Sequence, residues 1–244
     1  MVSFIKKQFL DIKNGGIIVL KNKFGIISNH FIWFPLYIIN LPLIFIIKFI
    51  GIFIVIRFEK LKSAFIGDVT QAVELYLCER ENNINTLKTK TIDIFFPEGE
   101  ICNKYLFKVF RRNIIILPKF LIFPLYVLCK YLPGLHHHII GNNSQSDRDI
   151  KNLFDKTNVF FKLNEDEIKQ GKTFLDSIGL SKNAKFICLN VREGAYHKDK
   201  KFHNYRNGDV NKFLSGCEEL TKLGYHIFRM GSKPVAKLRS KNKM

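Results

Sequence analysis

The chain has 244 residues, with 39 Lys and Arg against 21 Asp and Glu, and a formal net charge of +18. A hydrophobic fraction of 47% is too high for a disordered chain, and the composition excludes fibrous and collagen-like classes. Cys78, Cys102, Cys129, Cys188 and Cys217 are scattered with no C-x-x-C pair, which excludes a disulfide scaffold and the familiar zinc modules and fits a reducing compartment.

The first 60 residues hold Lys6, Lys7, Lys13, Lys21, Lys23, Lys48, Arg57 and Lys60 against Asp11 and Glu59. They also hold the most apolar run, FIWFPLYIINLPLIFII over Phe31–Ile47. Basic flanks around an apolar run point to an anionic membrane surface rather than to nucleic acid. Richness in Ile, Lys, Asn and Phe is also what nucleotide bias in a genome produces. The run sits at the lower length limit of a spanning helix, about 17 residues, and Pro35 and Pro42 interrupt it. A span, an in-plane or re-entrant anchor, and a buried core helix all remain open for residues 31–49. A cleaved signal peptide is excluded by the late start and the lack of a small-residue cleavage site.

Ile52–Arg57 predicts the first strand. A helix follows with Asp68 as its N-cap and Gln71 as capping partner. Val69, Ala72, Val73, Tyr76 and Leu77 recur at i, i+3, i+4, i+7 and i+8, one helix face. Thr91–Phe96 predicts a strand stopped by Pro97, Ile101–Arg111 a helix, Asn113–Leu117 a third strand, and Phe120–Cys129 a buried helix. Alternating strands and helices predict a parallel α/β sheet.

GNNSQSDR at 141–148 is a polar break. Asn164 with Glu167 predicts a capping box, Ile168, Leu175 and Ile178 a buried face, and Gly179 the helix end. Lys185–Val191 is the clearest strand. After the loop Arg192–Gly208, Asp209 caps a helix bearing Val210, Phe213, Leu214, Cys217 and Leu220, which Gly224 closes. Tyr225–Phe228 is the next strand, completing a Rossmann-type unit. Boundaries therefore fall at 1–49 (apolar, basic segment), 50–145 (first α/β domain), 146–180 (linker and helix), 181–231 (a partial second α/β domain) and 232–244 (basic tail).

In an open parallel sheet, ligands bind outside the carboxyl ends of the strands. Arg192 and Arg229 end consecutive strands, so both guanidinium groups are expected in one crevice, where they suit a phosphate or diphosphate. The loop between them adds Tyr196, His197, His203, Tyr205, Arg206 and Asn207, and Gly67-Asp68 puts a carboxylate at the matching edge of the first domain. His136, His137 and His138 are consecutive, so their side chains diverge and no metal site is expected. No Walker A, G-x-G-x-x-G or G-x-S-x-G motif occurs.

The block KFICLNVREGAYHKDKKFHNYRNGDV followed by LTKLGYHIFRMGS resembles a family of bacterial glycosyltransferases linked to surface polysaccharide synthesis, itself distantly similar to heptosyltransferases and O-fucosyltransferases. The matching positions are Asn190, Arg192, Glu193, Ala195-Tyr196, His203, Tyr205-Arg206-Asn207 and Arg229-Met230-Gly231. Upstream, IRFEKLKSAFIGD, FFPEGEICN, NIIILP, LPGLHHHI and NEDEIKQGKTFLDSIGL are also similar, from about Ile52 to Gly231.

The resemblance implies a GT-B-like fold, with two Rossmann-like domains facing across a cleft and an apolar helix ahead of them. It implies a nucleotide-sugar donor on the second domain, held by Arg192, Glu193, Tyr196, His203, Tyr205, Arg206, Asn207, Arg229 and Gly231. It implies a glycan or lipid-linked acceptor on the first, with Asp68 as catalytic base, no metal cofactor, and a place at the cytoplasmic face of the bacterial inner membrane. Two positions depart from the family, which often has His at Asn190 and Gly-His at Gly67-Asp68. From Ser232 the text no longer follows the family, so a C-terminally truncated and inactive transferase is expected. The alternative is a non-catalytic truncated remnant, or a membrane-associated sugar- or nucleotide-binding module. Nucleic-acid binding is disfavoured, because the aromatics lie in apolar runs rather than among basic residues.

Overall fold

The computed structural model describes residues 2–141, 149–181, 183–194, 201–231 and 237–240. The chain is mixed α/β with parallel sheets, and it divides into two compact units, Met1–Lys162 and Leu163–Met244.

The first unit runs α1 (Val2–Ile50), β1 (Ile54–Leu61), α2 (Ile66–Glu81), β2 (Lys90–Pro97), α3 (Lys104–Phe110), β3 (Ile115–Ile116), α4 (Lys119–Tyr131) and a 3-10 turn at His136–His138. The strands pair in parallel in the order β1-β2-β3, with Ile54 opposite Lys90 and Leu61 opposite Pro97. On the free edge of β1, Ile139 bridges Phe58 in parallel. Strand alternation sends Arg57, Leu61, Asp93 and Phe95 to one face, and Ile56, Phe58, Ile94 and Phe96 to the other. Val69, Val73, Tyr76 and Leu77 of α2, with Leu106, Phe107 and Phe110 of α3, cover the first face. Ile122, Leu125, Tyr126 and Cys129 of α4, with Ile44 and Ile47 of α1, cover the second. Helices thus lie on both faces of a parallel sheet. Burying side chains such as Phe58, Phe95 and Phe96 contributes about 1.5–3 kcal/mol each before entropy is counted.

Several sequence expectations shift. The first strand begins at Ile54, not Ile52, because Gly51, Ile52 and Phe53 continue the helical turn by donating to Ile47, Phe49 and Ile50. It extends to Leu61, since its charged residues find partners. Pro97 ends β2 from inside the ladder, opposite Leu61. Asp68 does not cap α2: Phe65 is the N-cap, without a side-chain bond, and Asp68 lies in the first turn, where its charge favours the helix N-terminus. Pro35 and Pro42 do not break α1, whose departure from helical geometry is at Gly16. A stripe of docking residues on both sides of the two prolines, Trp33, Ile44 and Ile47, holds the helix against α4.

Arg57 also moves from the basic flank to the interior. Its Nε and Nη2 donate to Asp93 Oδ1 and Oδ2 at 2.7 and 2.6 Å, and its Nη1 donates to the Asn85 carbonyl at 2.6 Å. Tyr76 Oη donates to Asp93 Oδ2 at 2.6 Å. Both charged side chains are under 10% exposed, and β1–β2 register sets them directly opposite one another. Burial, and then the Asp93 carboxylate, push the Tyr76 phenol well above its usual range, so it remains a donor.

The second unit runs α5 (Glu165–Ser177), β4 (Lys185–Asn190), 3-10 turns at Lys201–Arg206 and Val210–Phe213, α6 (Leu214–Lys222) and β5 (Tyr225–Met230). β4 and β5 pair in parallel from Lys185–Tyr225 to Asn190–Met230. The Asn164–Glu167 capping box forms as expected. Gly179, at φ 80°, lets Leu180 N–H reach back to the Leu175 carbonyl at 3.0 Å and closes α5. The expected apolar face of α5 is not buried: Ile168 and Ile178 are exposed. Asp209 caps the 3-10 turn, and Val210 and Cys217 are buried beneath it.

Replacing Asp93 by Ala should destabilise the full chain by about 3–5 kcal/mol, because Arg57 is left as a buried, uncompensated charge. Tyr76→Phe should cost about 1.5–3 kcal/mol, the scale of a bond to a charged acceptor. Denaturant unfolding in detergent micelles measures both, and a cost below about 1 kcal/mol for Asp93→Ala would sink the account.

His138 offers a pH test. It is fully buried, and its Nδ1–H donates to the Ile56 carbonyl at 2.7 Å. Nε2 is then the unprotonated nitrogen, with no hydrogen-bond partner among the described residues. Burial lowers the imidazole pKa below its ordinary 6.5. The folded chain keeps His138 neutral while the unfolded chain protonates it, so stability should fall as pH drops below about 6.5. His138→Gln should flatten that slope in unfolding curves taken between pH 7 and 5.

Candidate functional site

The candidate site of the second unit is built at the carboxyl ends of β4 and β5. Past Asn190 the chain buries Val191, exposes Arg192, and turns through Glu193 and Gly194. The returning loop closes on the same point: Gly208 N–H donates to the Arg192 carbonyl at 2.9 Å. A Cβ at Gly194 would lie 2.9 Å from Asn207 Nδ2, so the exposed Asn207 side chain packs closely on this turn. Asn207 N–H in turn donates to the Asn204 carbonyl at 3.0 Å, which holds the loop base. In β5, Arg229 lies opposite Leu189, one residue before the strand ends. Gly231 follows at φ 131°, a conformation that favours glycine.

The two arginines are not equivalent. Arg229 Nη2 donates to Glu193 Oε2 at 2.7 Å, with the side chains 14% and 8% exposed. Arg229 Nε has no hydrogen-bond partner among the described residues. Arg229 is thus paired with Glu193, a partner that strand order alone did not indicate. Arg192, Tyr205, Arg206 and Asn207 are exposed. The arrangement offers exposed cations at a strand edge beside a neutralised, half-rigid pair. Such an edge suits a polyanion bound from outside, with Arg192 as the forked donor. Tyr196 lies outside the described residues, as does the side chain of His203, whose backbone belongs to the 3-10 turn.

The corresponding edge of the first unit is stitched by Ser63. Its Oγ donates to the Gly99 carbonyl and accepts from Gly99 N–H, both at 3.0 Å, and its carbonyl accepts from Cys102 N–H at 3.0 Å. Lys60 Nζ pairs with Glu98 Oε1 at 2.7 Å beside it, and Lys119 Nζ donates to the Glu98 carbonyl at 2.7 Å. Asp68 is half-buried in the first turn of α2 at this edge.

A groove of about 460 Å³ opens along the outer side of α2, walled by Gly67, Gln71, Glu74 and Cys78 on the helix and by Phe154 and Thr157 opposite. Asp68 is not among its walls, so the groove and the predicted base are not brought together. Glu74 Oε1 accepts from Phe160 N–H at 2.7 Å, and Cys78 Sγ lies 2.8 Å from Thr157 Oγ1. Burial raises the Cys78 thiol pKa, which keeps it protonated and poorly nucleophilic. Periodicity did not point to this groove, because the segment facing α2 is irregular. Leu75 and Cys78, apolar at i and i+3 off the main stripe, were the available sign that α2 is covered on a second side.

No family model, curated protein or solved structure matches this chain. The likeness to glycosyltransferases therefore rests on the residues quoted above.

The Glu193–Arg229 pair generates a prediction of its own. Glu193→Gln should destabilise the chain by about 2–3 kcal/mol, the scale of a hydrogen bond to a charged partner that is largely shielded from water. Limited proteolysis between β4 and β5 should accelerate in parallel. A variant as resistant as the parent would show that the pair contributes nothing to holding the strand ends.

Proposed function

We propose that the chain acts in glycosyl transfer at the cytoplasmic face of a bacterial inner membrane. The donor would be a nucleotide sugar, and the acceptor a surface polysaccharide or a lipid-linked glycan. The observation that carries this reading is the edge of β4 and β5: parallel strands end in Arg192 and in the Glu193–Arg229 pair, and the long loop returns to bond the Arg192 backbone. A nucleoside diphosphate is the class of ligand such an edge suits, with Arg192 on the phosphates and Arg206 and Asn207 assisting from the loop. Glu193 holds Arg229 in place in this reading, and Tyr196, His203, Tyr205 and Gly231 complete the donor site. The finer architecture, a GT-B-like pair of Rossmann-like domains, is part of the same proposal. The chemistry assigned to Asp68 is removal of the acceptor hydroxyl proton as the diphosphate leaves, while basic side chains and helix N-termini stabilise the leaving charge.

A non-catalytic nucleotide- or sugar-binding module is the second reading. It is favoured by one observation: Asp68 does not line the groove of its own unit.

Calorimetric titration with UDP, GDP, ADP and CDP tests the donor assignment. Binding of at least one is expected, and Arg192→Ala should weaken it by about 2–3 kcal/mol, roughly thirtyfold to 150-fold. Absence of binding to every diphosphate removes the proposal. If binding survives but Asp68→Asn leaves any sugar transfer unchanged, Asp68 is not the base.

A further inference from the structure

We infer that α1 lies in the plane of the membrane, as a paddle between an anionic bilayer surface and the first α/β unit, and does not span the bilayer. This rests on the membrane association proposed above and is independent of the transfer chemistry.

Phe31–Ile50 is long and apolar enough to cross a bilayer, with a mean hydropathy of 1.9, and only 11% of it is buried. Its residues fall into two opposed faces. At about 100° per residue, Trp33, Asn40, Ile44 and Ile47 share one side. That side is docked: the Trp33 ring meets Phe123 of α4 edge-on at 5.0 Å, and Ile44 and Ile47 are buried with Ile122, Leu125 and Tyr126. Phe31, Ile38, Phe45 and Phe49 share the opposite side and are 53–75% exposed. Ile52 and Phe53 extend this surface past the helix end, at 69% and 71% exposure. A helix on the surface of a soluble domain carries charge opposite its docked stripe. Here the outward face is as apolar as the inward one.

The docked contacts run from Trp33 to Ile47, about 21 Å of helix axis. A span would place that length across most of a hydrocarbon core of about 30 Å. It would carry α4 into lipid alongside, together with the Lys130 ammonium at its end and the sheet face that α4 covers. β1 begins at Ile54, so no linker separates the helix from the α/β unit. An in-plane position avoids both costs: the inward face stays on α4 and the outward face enters the headgroup–acyl boundary. Lys48 at the end of α1 and Lys130 and Tyr131 at the end of α4 are exposed, which suits anionic headgroups and the interfacial zone. The net charge of +18 favours an anionic lipid surface over a second copy of the same chain.

Trp33 is the only tryptophan, which allows depth to be read directly. In a Trp33→Phe background, Phe31→Trp, Ile38→Trp and Phe49→Trp each place one indole on the outward face of the full chain. Vesicles containing about a third phosphatidylglycerol, with bromines at known acyl positions, report the depth of each by quenching. The expected result is similar, shallow quenching for all three. Phe45→Asp combined with Phe49→Asp should lower vesicle partition by at least about tenfold while circular dichroism stays unchanged. Deep quenching at residue 38 with shallow quenching at 31 and 49 would overturn the in-plane placement and leave membrane association standing. Failure to bind vesicles at all would overturn both. A stable dimer that shields the three indoles from brominated lipid would overturn the placement in favour of self-association.

Discussion

The bidentate bond between Arg57 and Asp93 is the constraint on which the first unit depends. It joins the two longest strands of the sheet at directly opposed positions, and Tyr76 ties the same carboxylate to α2. A single-residue slip of β1 against β2 would turn Arg57 to the other face, towards Phe96 and the residues of α4, and leave Asp93 behind on the first. The ion pair would be split, and each charge would lose the partner that offsets its desolvation. The network therefore acts on register as well as on stability. Its four hydrogen bonds also explain how an arginine and an aspartate fit a sheet covered on both sides by apolar helices. The edge that Ser63 stitches and the start of α2 inherit their positions from that register.

On the other face of the sheet the determining feature is α1. Helices packed on globular domains ordinarily spend one face on the core and present charge to water. The residues of α1 between Phe31 and Ile50 present apolar groups on both sides, and α4 satisfies only one of them. The proposed membrane contact and the α/β core thus meet in one element. Ile44 and Ile47 belong to the packing of the sheet, so this helix is not an appendage that leaves the unit untouched when removed. His138 lies nearby under the α1–β1 turn, where a Cβ on Gly51 would come within 3.4 Å of its ring. Its buried imidazole packs close to the point at which the helix hands the chain to the sheet.

In the second unit, charge is distributed by depth. Arg229 and Glu193 are largely shielded and neutralise one another, while Arg192 and Arg206 are exposed. For the proposed donor site this separates two tasks. The shielded pair shapes the strand ends without spending its charge on a ligand, and the exposed cations are available to a diphosphate. Gly231 serves the same edge in backbone terms, by adopting a φ that side chains resist.

Local signals in the sequence were sufficient for the class of fold and much of the element order. The stripe Val69, Val73, Tyr76, Leu77 marked α2, the Asn164–Glu167 box and Gly179 marked both ends of α5, and short apolar runs marked β2 and β4, because caps and periodicity act within a few residues. What lay beyond that range was decided in three dimensions. Arg57 read as one more basic residue near an apolar run, and only strand pairing showed it opposite Asp93. Arg229 read as a phosphate ligand at a strand end, and only the turn after β4 showed Glu193 paired with it. The groove beside α2 depends on an irregular segment some 80 residues downstream, which has no periodicity to announce it. For α1 the apolar run itself was plain in the sequence, but not its mode of use. Composition counts apolar residues without saying which of them α4 will cover, and that coverage, set by contacts distant in sequence, leaves the other face exposed.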